Sequence, residues 1–353
     1  MAEQRSYKIE YPYTYARVSA MKAKLLKKAD YDKLLKMQIG EITKYLQDFD
    51  YKEQINRYGV SLSGNALIEK AIRENLTDSF SKLRRVTEGA VKSIVTEYLK
   101  KEDFHNIKTI IRGKFTKTQN EEIRKLLIPA GKLTLDNLNK MISEDDLEKI
   151  IDLAKLSRVP EIKLALKTFK EKKELEIIEL ALDKIFYSSL VAFAGKIPIE
   201  VKGFRRFIGA EIDATNIKII LKFKREKISD EVIKNLIFIT GASKLSKQKW
   251  EKIIAAKTYD AVAKEFEKTP YETIVKNGIN ELIKSNTLSE LDLSLKRFML
   301  KNITTRRHQP PLSIDITLAY MFAKEVELRN LYLIVKSKQL GLEESFIQKE
   351  LIV

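Results

Sequence analysis

Asp103-Phe-His-Asn106-Ile-Lys-Thr-Ile-Ile-Arg112-Gly-Lys114 is the first of three stretches written on one plan. The others are Asp213-Ala-Thr-Asn216-Ile-Lys-Ile-Ile-Leu-Lys222-Phe-Lys224 and Glu327-Leu-Arg-Asn330-Leu-Tyr-Leu-Ile-Val-Lys336-Ser-Lys338. Each reads acid-x-x-Asn, then aliphatics, then basic-x-Lys. The asparagines stand 110 and 114 residues apart (216 − 106 and 330 − 216). A second marker keeps nearly the same step. Asp30, Thr134 and Ser246 read as helix N-caps, with apolar Leu34, Leu138 and Trp250 four residues on. Leu133 and Leu245 precede two of these caps as hydrophobic staples. Two markers of matching period predict three copies of one helical module, over 1–120, 121–235 and 236–353. A repeat of this length is a small domain rather than a solenoid unit. Packing of the copies about a common axis and a linear array both satisfy the pattern.

Working outward, the chain is expected to be all-α. It has 12 Gly and 7 Pro in 353 residues, so few breakers interrupt the apolar periodicity, and Lys, Leu, Glu and Ala fill the remaining positions. No run alternates with period two. Breaks are expected at Tyr11-Pro12, Ile128–Gly131, Gly195–Pro198, Thr240-Gly241, Thr269-Pro270 and His308–Pro311. Within the first stretch Val95, Leu99, Ile107, Ile110 and Ile111 form an apolar stripe, and Asp103 and Asn106 fall inside it. Asp213 with Asn216, and Glu327 with Asn330, sit likewise. Asn is a poor helix-interior residue because its amide competes for the backbone. An amide placed on an apolar stripe must be hydrogen-bonded, since leaving it unsatisfied costs about 1–3 kcal/mol. The pairs therefore read as structural ties between helices. As metal sites they lack a His, Cys or second acid at ligand spacing.

Composition narrows the function. Lys+Arg 66 against Asp+Glu 49 gives a net charge of +17, which favours acidic partners. With no cysteine, disulfide and thiolate chemistry are excluded. The start of the chain lacks an apolar core of signal-peptide length, and the longest apolar stretch, 185–195, is too short to span a bilayer, so a soluble or peripheral protein is expected. There is no phosphate loop and no Gly-x-Gly-x-x-Gly. The two histidines, His105 and His308, stand in no catalytic motif. Glu144-Asp145-Asp146 reads as the acidic start of a helix. Basic clusters at 22–28, Arg84-Arg85, Arg205-Arg206, 222–227 and Arg306-Arg307 read singly as solvated faces. No catalytic, cofactor-binding or metal residue is predicted.

The stretch from Tyr11-Pro-Tyr13-Thr-Tyr15-Ala16-Arg17-Val18 to Leu26 resembles the amino-terminal signature of the C subunit of archaeal-type ATP synthases, a family related to the d subunit of the vacuolar ATPase. Glu211-Ile-Asp213-Ala-Thr-Asn216-Ile217 is similar to its second-repeat motif. Pro311-Leu312-Ser313, Ala319-Tyr320, Lys324-Glu325, Arg329-Asn330-Leu331 and Gly341-Leu342 are similar to its carboxy-terminal signature. Lys222, where the family often has Arg, and Phe223, where Gly113 and Ser337 are small, depart from it in detail. The resemblance implies a funnel of three helical domains without catalytic residues or cofactors. Its expected partners are the central rotor shaft and the membrane proteolipid ring. It would lie peripherally on the cytoplasmic face of the membrane, without homo-oligomerising in the complex.

The rival reading of a +17 helical repeat is a basic RNA-binding protein. It leaves the acid-x-x-Asn plan without a purpose. Free nucleic acid is expected to bind weakly and with steep salt dependence, as a scattered positive surface does. Filter binding or anisotropy across salt concentrations checks this; sub-micromolar, sequence-selective binding at physiological salt would put the RNA-binding reading first.

Overall fold

The computed structural model describes residues 12–197, 202–238, 244–304 and 314–353. Tyr11, Pro198, Thr240-Gly241 and the Arg306-Arg307, His308–Pro311 and 311–313 features lie outside these residues. Among the described residues the structure is α-helical, without strands. Helices α1 (Pro12–Ala23), α2 (Lys28–Lys36), α3 (Ile39–Gln47), α4 (Lys52–Tyr58) and α5 (Gly64–Val86) lead into α6 (Gly89–Tyr98). The long α7 (Lys100–Phe115) is followed by α8 (Asn120–Leu126), α9 (Leu135–Ser143), α10 (Leu147–Leu153), α11 (Pro160–Lys172) and α12 (Glu176–Lys196). The longer α13 (Lys202–Arg225) is followed by α14 (Asp230–Leu236), α15 (Lys247–Ala255), α16 (Tyr259–Glu265), α17 (Glu272–Ser285) and α18 (Ser289–Thr304). Last come α19 (Asp315–Gln339) and α20 (Glu344–Glu350).

The three asparagine helices, α7, α13 and α19, end alike. Lys117, Lys227 and Gly341, each eleven residues after its asparagine, take positive φ of 56°, 56° and 68°. The next N–H then turns back to the carbonyl five residues earlier: Thr118 to Gly113 at 2.8 Å, Ile228 to Phe223 at 2.9 Å and Leu342 to Ser337 at 2.9 Å. This left-handed ending satisfies last-turn carbonyls and starts the following short helix. In the first two copies a lysine bears the conformation that suits glycine best.

Beyond that turn each asparagine grips the backbone 22 residues on. The Asn106 Nδ2 donates to the Ile128 carbonyl (2.7 Å) and its Oδ1 accepts from the Ile128 N–H (2.8 Å). Asn216 does the same with Phe238 (2.6 and 2.8 Å). Asn330 does so with Ile352 (2.7 and 3.1 Å). All three asparagines are fully buried. The acid three residues earlier holds the chain ahead of the next helix. Asp103 accepts from the Lys132 and Leu133 N–H groups, both at 2.8 Å, and Asp213 from Lys244 N–H at 3.0 Å. Glu327 accepts from Leu26 N–H at 2.6 Å.

That last bond joins positions 301 residues apart. The short α20 packs on α2 as α8 packs on α9 and α14 on α15. The cores agree: residues 26–72 share one hydrophobic cluster with 331–351. A second cluster runs over 107–182 and a third, central one binds most of the rest. So α20, α2, α3, α4 and α5 follow α19 in space as α8–α12 follow α7 in sequence.

The bond from Leu26 also corrects one cap. Thr134 and Ser246 do cap α9 and α15, accepting from Asn137 and Lys249 N–H. The cap of α2 is Lys27, and Asp30 is its third helical residue, reaching back to the Lys27 N–H at 2.7 Å. The counterparts of Leu133 and Leu245 and of Leu138 and Trp250 are then Leu26 and buried Tyr31. The carboxylate of Asp146 caps α10. Chain breaks fall between helices at Ile128–Gly131 and Thr269-Pro270, and α12 ends at Lys196.

Replacing Asn216 by Leu strands the buried N–H and C=O of Phe238. Stability is expected to fall by about 1–3 kcal/mol in denaturant unfolding. Wild-type unfolding in that variant would remove the clasp from the list of structural ties.

Candidate functional site

Five residues before each asparagine the chain places Lys101, Glu211 and Glu325. These matching positions of α7, α13 and α19 meet one another. The Lys101 ammonium donates to Glu211 Oε1 at 2.8 Å and to Glu325 Oε2 at 2.9 Å. Corresponding residues of three similar segments thus meet at one place. Aromatic rings line the same place: Tyr98 lies 5.4 Å from Phe207, and Phe207 lies 6.0 Å from Phe322. Tyr98 also donates to Glu211 Oε1 at 3.2 Å and accepts from Lys101 at 3.1 Å.

Three like charges would repel at such a meeting point; one lysine between two glutamates removes that conflict. Burial works against the Lys101 ammonium, yet Glu211 and Glu325 hold its pKa well above that of an ordinary lysine. Burial pushes the Glu325 carboxyl up, with Glu211 adding and Lys101 opposing. Glu102, 6% exposed, is pushed up to about 8 by burial, then by Glu325, with Lys101 opposing and Asp103 adding. Glu211 Oε2 and Glu325 Oε1 are buried and accept no hydrogen bond from the described residues. Around Lys101 the acids Glu102, Glu211 and Glu325 thus outnumber the bases in contact with them.

The acid-x-x-Asn pairs are at a different level, as clasps. Asp213 and Glu327 also accept from the Tyr271 and Tyr51 hydroxyls, and Lys324 bonds Glu327 at 2.7 Å. The lysine that ends each motif serves the same framework. Lys224 donates to the Ile254 and Ala256 carbonyls at 2.6 Å, and Lys338 to the Leu35 carbonyl at 2.5 Å, closing α15 and α2. In the first copy Lys114 turns to Asn120 and Asp145 (2.9 and 2.8 Å). Two basic residues read as solvated are tied down: Arg84 holds the Gly131 carbonyl at 2.8 Å, and Arg205 the Ala194 carbonyl at 2.6 Å. His105 is exposed on α7. Among the described residues no group of three or more His, Cys, Asp or Glu is placed to hold a metal ion, and no helix is long and apolar enough to cross a membrane.

Lys101, Glu211 and Glu325 escape a motif search because one position carries both signs of charge. Their signal is positional: counting back five from each asparagine finds all three.

A sequence model described as ATP synthase (C/AC39) subunit matches residues 14–350. The chain is 33% identical over 346 residues to the C subunit of the A-type ATP synthase of Methanosarcina acetivorans, covering 97% of this chain and 93% of that protein. It is 32% identical to that of Methanosarcina barkeri with the same coverage. To that of Archaeoglobus fulgidus it is 30% identical over 341 residues, 97% and 96% of the two chains.

The raised Glu102 pKa makes stability depend on pH with a definite sign. The fold keeps this carboxyl protonated up to about pH 8, whereas the unfolded chain releases the proton near the ordinary value of 4.5. The folded state binds more protons across that window, so stability falls as pH rises through it. Between about pH 6 and about pH 9 the wild-type melting temperature is expected to decline, and Glu102→Gln to flatten the decline. Parallel curves for the two proteins would show that Glu102 ionises freely.

Proposed function

We propose a mechanical role for this chain from one premise: it belongs to the ATP synthase (C/AC39) subunit family. It is a subunit of an A-type ATP synthase. Within that machine we assign it to the central stalk, as the non-catalytic socket that receives the rotor shaft and rests on the ion-carrying proteolipid ring. It would lie peripherally on the cytoplasmic face of the membrane and turn with both partners, so that ATP turnover drives, or is driven by, proton or sodium transport.

The convergence of Lys101, Glu211 and Glu325 supports this reading most directly, because it favours three like arms around one axis. We read three arms, each led by one asparagine helix and arranged as a funnel; these arms are offset from the modules of 1–120, 121–235 and 236–353, since the 107–182 core spans residue 120 and 26–72 packs with 331–351. The hold of Glu327 on Leu26 supports a closed ring over a linear array. A closed ring suits torque transmission, since a twisting load then passes through every arm. Such a joint resists slip by spreading many modest contacts over a wide perimeter. Charges would steer docking while packed apolar patches hold it. No catalytic residue is required for this, and the +17 charge suits acidic neighbours.

Rebuilding the complex in liposomes without this chain tests the role. ATP hydrolysis by the detached head is expected to continue while hydrolysis-driven ion uptake is lost. Uptake persisting at normal stoichiometry would rule the socket out.

A further inference from the structure

Helix α5 runs antiparallel to α19: Glu69 pairs with Lys336, Arg73 meets Tyr332, and Ser79 bonds Tyr320. The last turn of α5 and the start of α6 therefore reach the start of α19. The Thr14 hydroxyl donates to the Val86 carbonyl at 3.1 Å and brings the start of α1 to the same end. The start of α13 joins them, since Arg206, Asn302 of α18 and Asp315 of α19 line one small cavity. Arg205 holds the Ala194 carbonyl, so the end of α12 lies there too. One end of the molecule is thus built from the starts of α1, α6, α13 and α19.

That end carries unanswered positive charge. Arg17, Arg85, Lys92, Lys196 and Arg206 are exposed, and none has a carboxylate partner among the described residues. Against them stand exposed Glu88 and buried Asp315. At the far ends of the long helices the cations are paired: Arg112 with Glu179, Lys114 with Asp145, Lys222 with Glu176 and Lys336 with Glu69. Helix dipoles account for Arg85 and Lys196, in the last turns of α5 and α12, but disfavour Lys92 and Arg206 near the starts of α6 and α13. No acid stands in the first turn of α1, α6 or α13. Tyr13 and Tyr15, 54% and 37% exposed, are the large apolar side chains open to solvent on α1. Leu340, Phe346, Ile228 and Val232 are exposed beyond the far ends of α19 and α13.

We propose that this end faces the membrane and binds the phosphates of anionic lipid headgroups. The proposal rests on the peripheral position assigned above. A cation close to an anionic leaflet raises affinity about fivefold. The five cations here come one each from α1, α5, α6, α12 and α13, which spreads them as a broad, shallow contact needs. Tyrosine suits the headgroup level, its ring toward the acyl boundary and its hydroxyl toward water. A protein partner is held by side chains packed into pockets. The cavity beside Arg206, of about 40 Å³, admits water but no side chain or nucleotide. A diffuse anionic plane fits this end better than a shaped one.

Flotation of the purified chain with vesicles tests this. The chain is expected to float with vesicles of phosphatidylglycerol and phosphatidylcholine, to stay behind with phosphatidylcholine alone, and to be released as salt rises. Arg85→Gln/Lys92→Gln/Arg206→Gln should weaken the binding about a hundredfold. Lys167→Gln/Lys247→Gln/Lys252→Gln removes the same charge from exposed sites on α11 and α15 and should leave most of the binding. Circular dichroism checks that both variants fold. Tyr13→Ser/Tyr15→Ser should weaken what binding survives at high salt. Equal losses in the two charge variants would mean that net charge alone attracts the vesicles and would overturn the proposal, as would wild-type flotation by the first variant. Loss of the detergent-solubilised proteolipid ring by that variant, with vesicle binding intact, would assign this end to a protein partner instead. A wild-type chain that floats yet binds neither shaft nor ring would overturn the socket reading alone.

Discussion

A side-chain amide that holds one residue's backbone by both its N–H and its C=O replaces the pairing a β-strand would give, and this protein uses it once on each of α7, α13 and α19. Asn106, Asn216 and Asn330 each fix the chain as it leaves a short helix, and the acid three residues earlier fixes it as it enters the next. Short helices such as α8, α14 and α20, with seven residues each, could not persist alone, because helix nucleation is unfavourable at that length. Their boundaries are held from outside. The apolar clusters pack around positions that these hydrogen bonds fix.

The same repetition creates a problem at the centre, where three related helices converge. Symmetry alone would bring three identical side chains into contact. The sequence departs from symmetry there, with one lysine and two glutamates. The framework residues repeat and the axial residues differ.

Much of the framework was legible in sequence because its logic is local. An asparagine on an apolar stripe is anomalous, and three anomalies at steps of 110 and 114 residues identify one another. The cap at α2 was misread for an equally physical reason: Asp30 has the chemistry of an N-cap, while the true cap, Lys27, contributes only backbone. Arg84 and Arg205 look like surface charge until the carbonyls of Gly131 and Ala194 come within reach. The common core of 26–72 and 331–351 leaves no local trace, since neither segment's periodicity names its partner. The axial triad is hidden because opposite charges at matching positions look like dissimilarity.

The seam between Glu327 and Leu26 also bears on biosynthesis. Helices α2 to α5 leave the ribosome early, but the apolar surface of Tyr31, Leu34 and Ile42 is completed by Leu331, Ile334 and Ile347, made 300 or more residues later (331 − 31). At ordinary rates of translation the interval is on the order of tens of seconds. For that time the first-made helices carry an unfinished core while later ones, such as those of the 107–182 cluster, can already close theirs. The opening helices therefore wait longest for the residues that complete their core, and a message truncated before α19 would yield a product whose first helices lack that match.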